Sequence, residues 1–191
     1  MFAFKKNYFL IIENINDISL SNIKRYNKFF IIYRNKKKIE NIRDLLNFRK
    51  KCRLKLIKFF VVNDLKMAIK LNADGIYLSS KYKDFKPLNI KKNNFDIIGS
   101  AHNSKEIYLK IKQNCKYIFL SKLFTVDYNK SAPTLGLIKF NKYIQNSRTQ
   151  LVPLGGIKLS NLNALKNVKS EGFAILSELK KKPVKIINRL F

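Results

Sequence analysis

The sequence is poor in the residues that cross-link a chain or coordinate a metal. Its 191 residues include two cysteines, one histidine and no tryptophan. Cys52 and Cys115 lie in separate helix-like segments, and neither takes part in a Cys-x-x-Cys or Cys/His spacing. This pattern argues against a disulfide or a cysteine metal site. It favours two small buried thiols in a reducing compartment.

Long apolar runs and a recognisable leader are also missing. No stretch approaches the length of a membrane span. The basic and apolar residues 1–12 are followed by Glu13, and no small-residue cleavage site comes after it. We therefore expect a cytoplasmic protein without a membrane partner.

Acidic residues are scarce beside basic ones. Twelve Asp and Glu residues accompany 40 Lys and Arg residues, which gives a formal net charge of +28. Only seven of the basic residues are arginine, and the lysines are spread along the chain instead of forming one stripe. We therefore expect a solvated positive surface that attracts phosphorylated small molecules, and we do not expect nucleic acid as the partner.

Eight short apolar runs organise the chain. They are rich in Ile, Val, Phe and Tyr and alternate with segments of helical periodicity. The runs are residues 8–12, 29–33, 56–62, 75–79, 96–101, 117–121, 151–155 and 172–176. Continuous apolar runs are typical of parallel strands that are covered on both faces. The pattern predicts one α/β domain over residues 1–191, a (β/α)8 TIM barrel, with an open doubly wound sheet as the alternative.

Glycine is so rare, at six residues, that its positions are informative. Gly155 and Gly156 stand together where the seventh run ends. In a barrel, the loops after the seventh and eighth strands commonly bind phosphate, because backbone N–H groups can approach where no Cβ intervenes. The pair by itself fits a tight strand-to-helix turn equally well. Two longer loops, 80–95 and 122–134, are predicted at the same face of the barrel.

Five segments, in this order and spacing, resemble thiamine phosphate synthase and its relative TenI. They are VVNDLKMAIKLNADGIYLS (61–79), IIGSAHNSKE (97–106), APTLGL (132–137), LVPLGGI (151–157) and GFAILSEL (172–179). The resemblance covers about the whole chain and implies an enzyme of thiamine biosynthesis. In that reaction hydroxymethylpyrimidine diphosphate loses pyrophosphate, and the nitrogen of a thiazole phosphate captures the resulting cation. Basic side chains and Mg²⁺ would stabilise the charge of the departing pyrophosphate.

The resemblance implies roles for the residues that match the family's motifs. Those expected to bind pyrophosphate are Arg34, Lys36, Asn63 and Lys130, the last as a substitute for the lysine of a loop that is shortened here. Those expected to hold the thiazole phosphate are Gly155, Gly156 and Ser177. Ser100 and His102 match a Ser-x-His motif and are the catalytic candidates, and Asp64 is the expected Mg²⁺ ligand.

The sequence departs from the family pattern at the metal site. The family has a second carboxylate ligand after the fourth strand, whereas residues 79–82 read SSKY and Asp84 is out of register. Ile32 and Asn35 replace a Gln and a Glu beside Arg34. A site with one carboxylate binds Mg²⁺ weakly unless substrate oxygens and water complete it.

Three functions therefore stay open at this point. The retained phosphate positions favour a divergent synthase. The poor metal site favours a metal-free, TenI-like thiazole tautomerase in which His102 transfers the proton, although Arg34 and Lys36 argue against it. The third is a non-catalytic barrel that binds phosphate or nucleic acid. A homo-oligomer is compatible with each of them.

Overall fold

The protein folds into a closed barrel of eight parallel strands in chain order, in which β8 pairs with β1. A computed structural model describes residues 5–23, 26–35, 40–90 and 94–190, without the side chain of Tyr26. The prediction of a (β/α)8 barrel is confirmed, and closure between the first and last strands excludes the open sheet.

All eight apolar runs form strands. They are β1 Asn7–Ile12, β2 Phe29–Tyr33, β3 Lys58–Val62, β4 Gly75–Leu78, β5 Asp96–Ala101, β6 Tyr117–Ser121, β7 Gln150–Leu154 and β8 Gly172–Ile175. The α-helices are α1 Ile42–Leu54, α2 Leu65–Lys70, α3 Ser104–Lys112, α4 Gly136–Gln145, α5 Ser177–Lys181 and α6 Pro183–Leu190. The crossover after β7 is a 3-10 helix, Leu159–Asn167, in place of an α-helix.

Polar side chains start three of the helices at the C-terminal ends of strands. The side chain of Asn41 accepts a hydrogen bond from Arg43 N, that of Asp64 from Met67 N, and that of Asn103 from Glu106 N. Each satisfies one of the backbone donors that a helix leaves free in its first turn. The helix starts therefore surround the same mouth of the barrel as the strand ends.

Alternating strand residues divide the core into two layers. One layer fills the barrel with side chains that include Phe9, Phe30 and Phe119, and the other lies between the strands and the helices. The ring centroids of Phe9 and Phe30 are 4.6 Å apart, and those of Phe9 and Phe119 are 4.9 Å apart. Because aromatic rings fill the lumen, a ligand can bind only at one of the two ends of the barrel.

A partly buried ion pair lies at the N-terminal end of the barrel. Arg49 on α1 donates to Asp74, which precedes β4, over 2.9 Å, and also to the carbonyl of Asn72. The other carboxylate oxygen of Asp74 accepts from Phe59 N at 2.7 Å. The pair thus joins α1 to β3 and β4 at the face that serves stability in barrels of this kind.

The two cysteines are free and buried, as the sequence predicts. Burial raises the pKa of both the Cys52 and the Cys115 thiols to about 12. Both therefore stay protonated and unreactive at neutral pH. Within the described part of the chain, no helix is both long and apolar enough to span a membrane.

Candidate functional site

A cavity of about 260 Å³ opens at the C-terminal mouth of the barrel. Six of the ten residues that the sequence analysis selected line it: Arg34, Ser100, His102, Gly155, Gly156 and Ser177. They come from segments that lie far apart along the chain. Barrel closure brings them together, because parallel strands end at the same face.

Three of the other four predicted residues lie away from the cavity wall, and the fourth, Lys36, falls outside the described residues. Asn63, Asp64 and Lys130 are exposed and are not among the residues that line the cavity. Asn63 does act on the site, because its side chain holds both the hydroxyl and the backbone N–H of Ser79, at 2.9 and 2.8 Å. Its contact with the cavity is thus indirect, through Ser79.

Arg34 follows β2 at the cavity wall, and a carboxylate orients it. Its Nη2 donates to Glu13 Oε1 over 2.6 Å, and the other carboxylate oxygen of Glu13 accepts from Lys180. The Nε–H of Arg34 is buried and has no hydrogen-bond partner among the described residues. A bound phosphate oxygen is the kind of acceptor that would satisfy such a donor.

Ser100 and Tyr77 form a neutral polar patch on the inner wall. Ser100 is on β5 and Tyr77 is on β4, and both line the cavity. Burial raises the pKa of Tyr77 to about 12. The phenol therefore stays protonated at neutral pH. The sequence analysis missed Tyr77, although its place in the DGIYLS segment, two residues before Ser79, points to it.

His102 directly follows β5 and is oriented by Glu106. Glu106 Oε2 accepts from His102 N at 2.7 Å and lies 3.1 Å from its Nδ1. A carboxylate at this position favours the tautomer that carries the proton on Nδ1. Nε2 is then the ring atom with a free lone pair, and half of the side-chain surface of His102 remains exposed.

The glycine pair is both a turn and a point of close backbone approach. Gly155 has φ 95° and Gly156 has φ 69°, in the left-handed region that side chains disfavour. A Cβ on Gly156 would lie 2.5 Å from the carbonyl oxygens of Phe124 and Thr125. Phe124 N in turn donates to the Gly155 carbonyl at 3.0 Å. The pair therefore fits against the loop between β6 and α4.

Charged residues that the sequence analysis missed complete the rim of the cavity. Lys122, Asp127, Lys158 and Glu178 all line it. Asp127 accepts hydrogen bonds from Lys158 and Lys181, which lower its pKa to about 2. Lys158 could have been noticed, since it follows the glycine pair by two residues. No local signal in the sequence marks Asp127.

The described residues do not form a complete Mg²⁺ site. Among them, no group of three or more His, Cys, Asp and Glu side chains is placed to hold a metal ion. Asp64 Oδ1 already accepts from Met67 N at 2.8 Å and caps α2. A metal at Asp64 would thus depend on ligands from substrate and water, and the metal role of Asp64 stays a prediction.

Comparison with known proteins agrees with this geometry. The sequence model of the family described as thiamine monophosphate synthase matches residues 20–179. A thiamine-phosphate synthase of Pelagibacter ubique is 34% identical over 169 residues, which cover 81% of this chain and 78% of that protein. A thiamine-phosphate synthase of Prochlorococcus marinus subsp. pastoris is 29% identical over 141 residues. That match covers 73% of this chain, and the chain spans only 40% of the length of this relative.

A solved structure shares the fold. The thiamine phosphate pyrophosphorylase from Pyrococcus furiosus superimposes with a TM-score of 0.72 and 18% sequence identity. The superposition covers 99% of this chain and 98% of that one. The family match extends over most of the chain, and the barrel and the ordered motifs agree with it. The chain belongs to the thiamine monophosphate synthase and TenI family.

Proposed function

We propose that the chain is a thiamine phosphate synthase, a transferase that joins hydroxymethylpyrimidine diphosphate to thiazole phosphate and releases pyrophosphate. The observation that carries this proposal is that one cavity is lined by two elements of the kind that can bind anions. Arg34 supplies a guanidinium from the end of β2, and Gly155 and Gly156 supply a left-handed backbone turn without side chains at the end of β7. A reaction between two phosphorylated substrates needs two such elements.

The side chains at the cavity support this chemistry in a simple way. As the bond to the diphosphate breaks, negative charge grows on the leaving group, and the Arg34 guanidinium would stabilise it. Glu13 holds that guanidinium in place, so its position is set before the substrate binds. Below it, the aromatic lumen and the protonated Tyr77 would keep bulk water from capturing the pyrimidine cation.

Whether the proposed activity depends on Mg²⁺ is left to experiment. The metal would neutralise diphosphate charge, but the described residues offer a single candidate carboxylate, Asp64, that caps a helix. No step above therefore passes through a metal ion. The deciding experiment incubates the purified protein with both substrates, with and without Mg²⁺, and follows thiamine phosphate and pyrophosphate. Formation of both products in equal amounts supports the proposal, and the absence of both contradicts it.

Asp64→Asn separates the metal role of this residue from its structural role. Asparagine caps helices as well as aspartate does, so we expect the free energy of unfolding to change by less than about 0.5 kcal/mol. If Asp64 binds the metal, the Mg²⁺ concentration for half-maximal activity should rise at least about tenfold. Titration of activity with Mg²⁺ measures this, and an unchanged titration curve would show that Asp64 only caps α2.

A metal-free thiazole tautomerase is the second candidate. It is favoured by the His102–Glu106 pair at the cavity and by the incomplete metal site. With Nε2 available, His102 could remove and return a proton on the substrate.

His102→Ala tests the second candidate. A tautomerase should convert the thiazole tautomer in the presence of a chelator, and the variant should lower that rate about a hundredfold. Conversion can be followed by NMR of the substrate. A chelator-resistant rate that His102→Ala leaves unchanged would remove this candidate.

A further inference from the structure

The rim of the cavity contains a carboxylate that is held between two lysines from different segments. Asp127, on the loop between β6 and α4, offers Oδ1 to Lys158 Nζ and Oδ2 to Lys181 Nζ, the latter at 2.7 Å. Lys158 comes two residues after the glycine pair. Lys181 ends α5, the helix that begins at Ser177. Both lysines thus belong to the segments that follow β7 and β8.

This arrangement has the chemistry of an occupied anion site. Asp127 and Lys158 both line the cavity, and the side chains of the three residues are between 36% and 57% exposed. Ion pairs with this much exposure are weak. A phosphate group offers more charge and more acceptor oxygens than a carboxylate, so it can compete for the same two ammonium groups.

We propose that Lys158 and Lys181 form a phosphate-binding pair, which Asp127 occupies until a phosphate group of a substrate replaces its carboxylate. Which substrate delivers the phosphate rests on the proposed function. The existence of the pair does not, because inorganic anions can probe it without turnover. The carboxylate keeps the two lysines oriented and excludes weaker anions, and the loop that carries Asp127 is released when phosphate arrives.

The direction in which Asp127→Asn changes the affinity for phosphate tests the proposal. Isothermal titration of the whole chain with inorganic phosphate, and separately with pyrophosphate, should show about tenfold tighter binding for Asp127→Asn, because the competing charge is gone. Asp84→Asn is the matched control. It makes the same change of charge in a carboxylate of the loop after β4 that pairs with Lys86 and does not line the cavity. Its affinity should change less than twofold.

Lys158→Met then distinguishes binding by the Lys158–Lys181 pair from attraction by the electrostatic field of the whole protein. In the Asp127→Asn background it should cancel most of the gain. In the wild-type chain it should weaken phosphate binding by a smaller factor, because the lost ammonium group also held the competing Asp127 carboxylate. This non-additivity is the expected signature. Lys181→Met should repeat it from the other side of Asp127. Thermal unfolding of each variant confirms that the barrel is retained.

Two results would overturn the proposal. One is phosphate binding that weakens or stays the same in Asp127→Asn. The other is equal tightening in Asp127→Asn and Asp84→Asn, which would indicate only the overall field. If phosphate binds more tightly than pyrophosphate, the lysine pair is assigned to a monophosphate group. If pyrophosphate binds more tightly, the pair is assigned to a diphosphate group. Because no product is measured, a protein without synthase activity can still pass this test, and an active one can fail it.

Discussion

Gly156→Ala is expected to lower the free energy of unfolding by about 2–5 kcal/mol and to abolish measurable phosphate binding. About 1–2 kcal/mol comes from placing a side chain at φ 69°. The rest comes from the contact with the Phe124 and Thr125 carbonyl oxygens at 2.5 Å, which are backbone atoms and can yield only if the loop shifts. That loop carries Asp127 and forms one wall of the cavity, so its displacement should also distort the site.

Gly136→Ala is the matched control for this prediction. Gly136 has nearly the same φ, 65°, but a Cβ there meets no atom within 4 Å. The Gly136→Ala variant should therefore lose only about 1–2 kcal/mol of unfolding free energy, the part due to backbone strain, and should keep its affinity for phosphate. Urea unfolding and isothermal titration with inorganic phosphate measure both quantities. Equal stability losses in the two variants would show that close approach at Gly156 is unimportant.

Arg34→Met is expected to reduce kcat/KM for thiamine phosphate formation by about 10²–10³-fold. Under the proposed function, the guanidinium would stabilise charge on the departing pyrophosphate, and removal of one such donor costs about this much in other enzymes. The fold should tolerate the change, because Glu13 keeps its contact with Lys180. Affinity for inorganic pyrophosphate should fall as well, whereas the Gly155–Gly156 turn is untouched.

Arg49→Met is the control, and it is expected to change stability and leave kcat/KM nearly unchanged. Arg49 is paired with Asp74 at the N-terminal end of the barrel, away from the cavity. Its removal leaves a half-buried carboxylate with one partner fewer, so we expect a stability loss of about 1–3 kcal/mol and nearly unchanged kcat/KM. Steady-state kinetics and urea unfolding of both variants give the comparison. Wild-type kinetics of the Arg34→Met variant would contradict the proposed role of Arg34 in binding pyrophosphate.

Much of the fold could be predicted from local patterns. All eight apolar runs form strands, because a strand covered on both faces must be apolar along its whole length, and this requirement is visible residue by residue. The segment after the glycine pair differs, since it forms a 3-10 helix, and its apolar spacing does not distinguish the two helix types.

A position at the cavity could be predicted for several of the residues that a family motif marks, whereas their roles stay predictions. Arg34, Ser100, His102 and the glycine pair line the cavity, although nothing in their immediate neighbours specifies that they meet. Asp64 shows the limit of this reasoning. Its motif implies a metal ligand, and the structure shows its carboxylate capping α2, a role that the same residue fills for local reasons.

The sequence by itself determined the barrel class and the strand positions, because burial periodicity is a local property, and its glycine placement predicted a turn at the mouth of the barrel. Only the tertiary structure decided why Gly156 must be glycine and that Asp127 lies between Lys158 and Lys181. Those contacts join residues that are 31 and 54 positions apart. They depend on closure of the barrel, which sets the distance between strand ends and which no short stretch of sequence encodes.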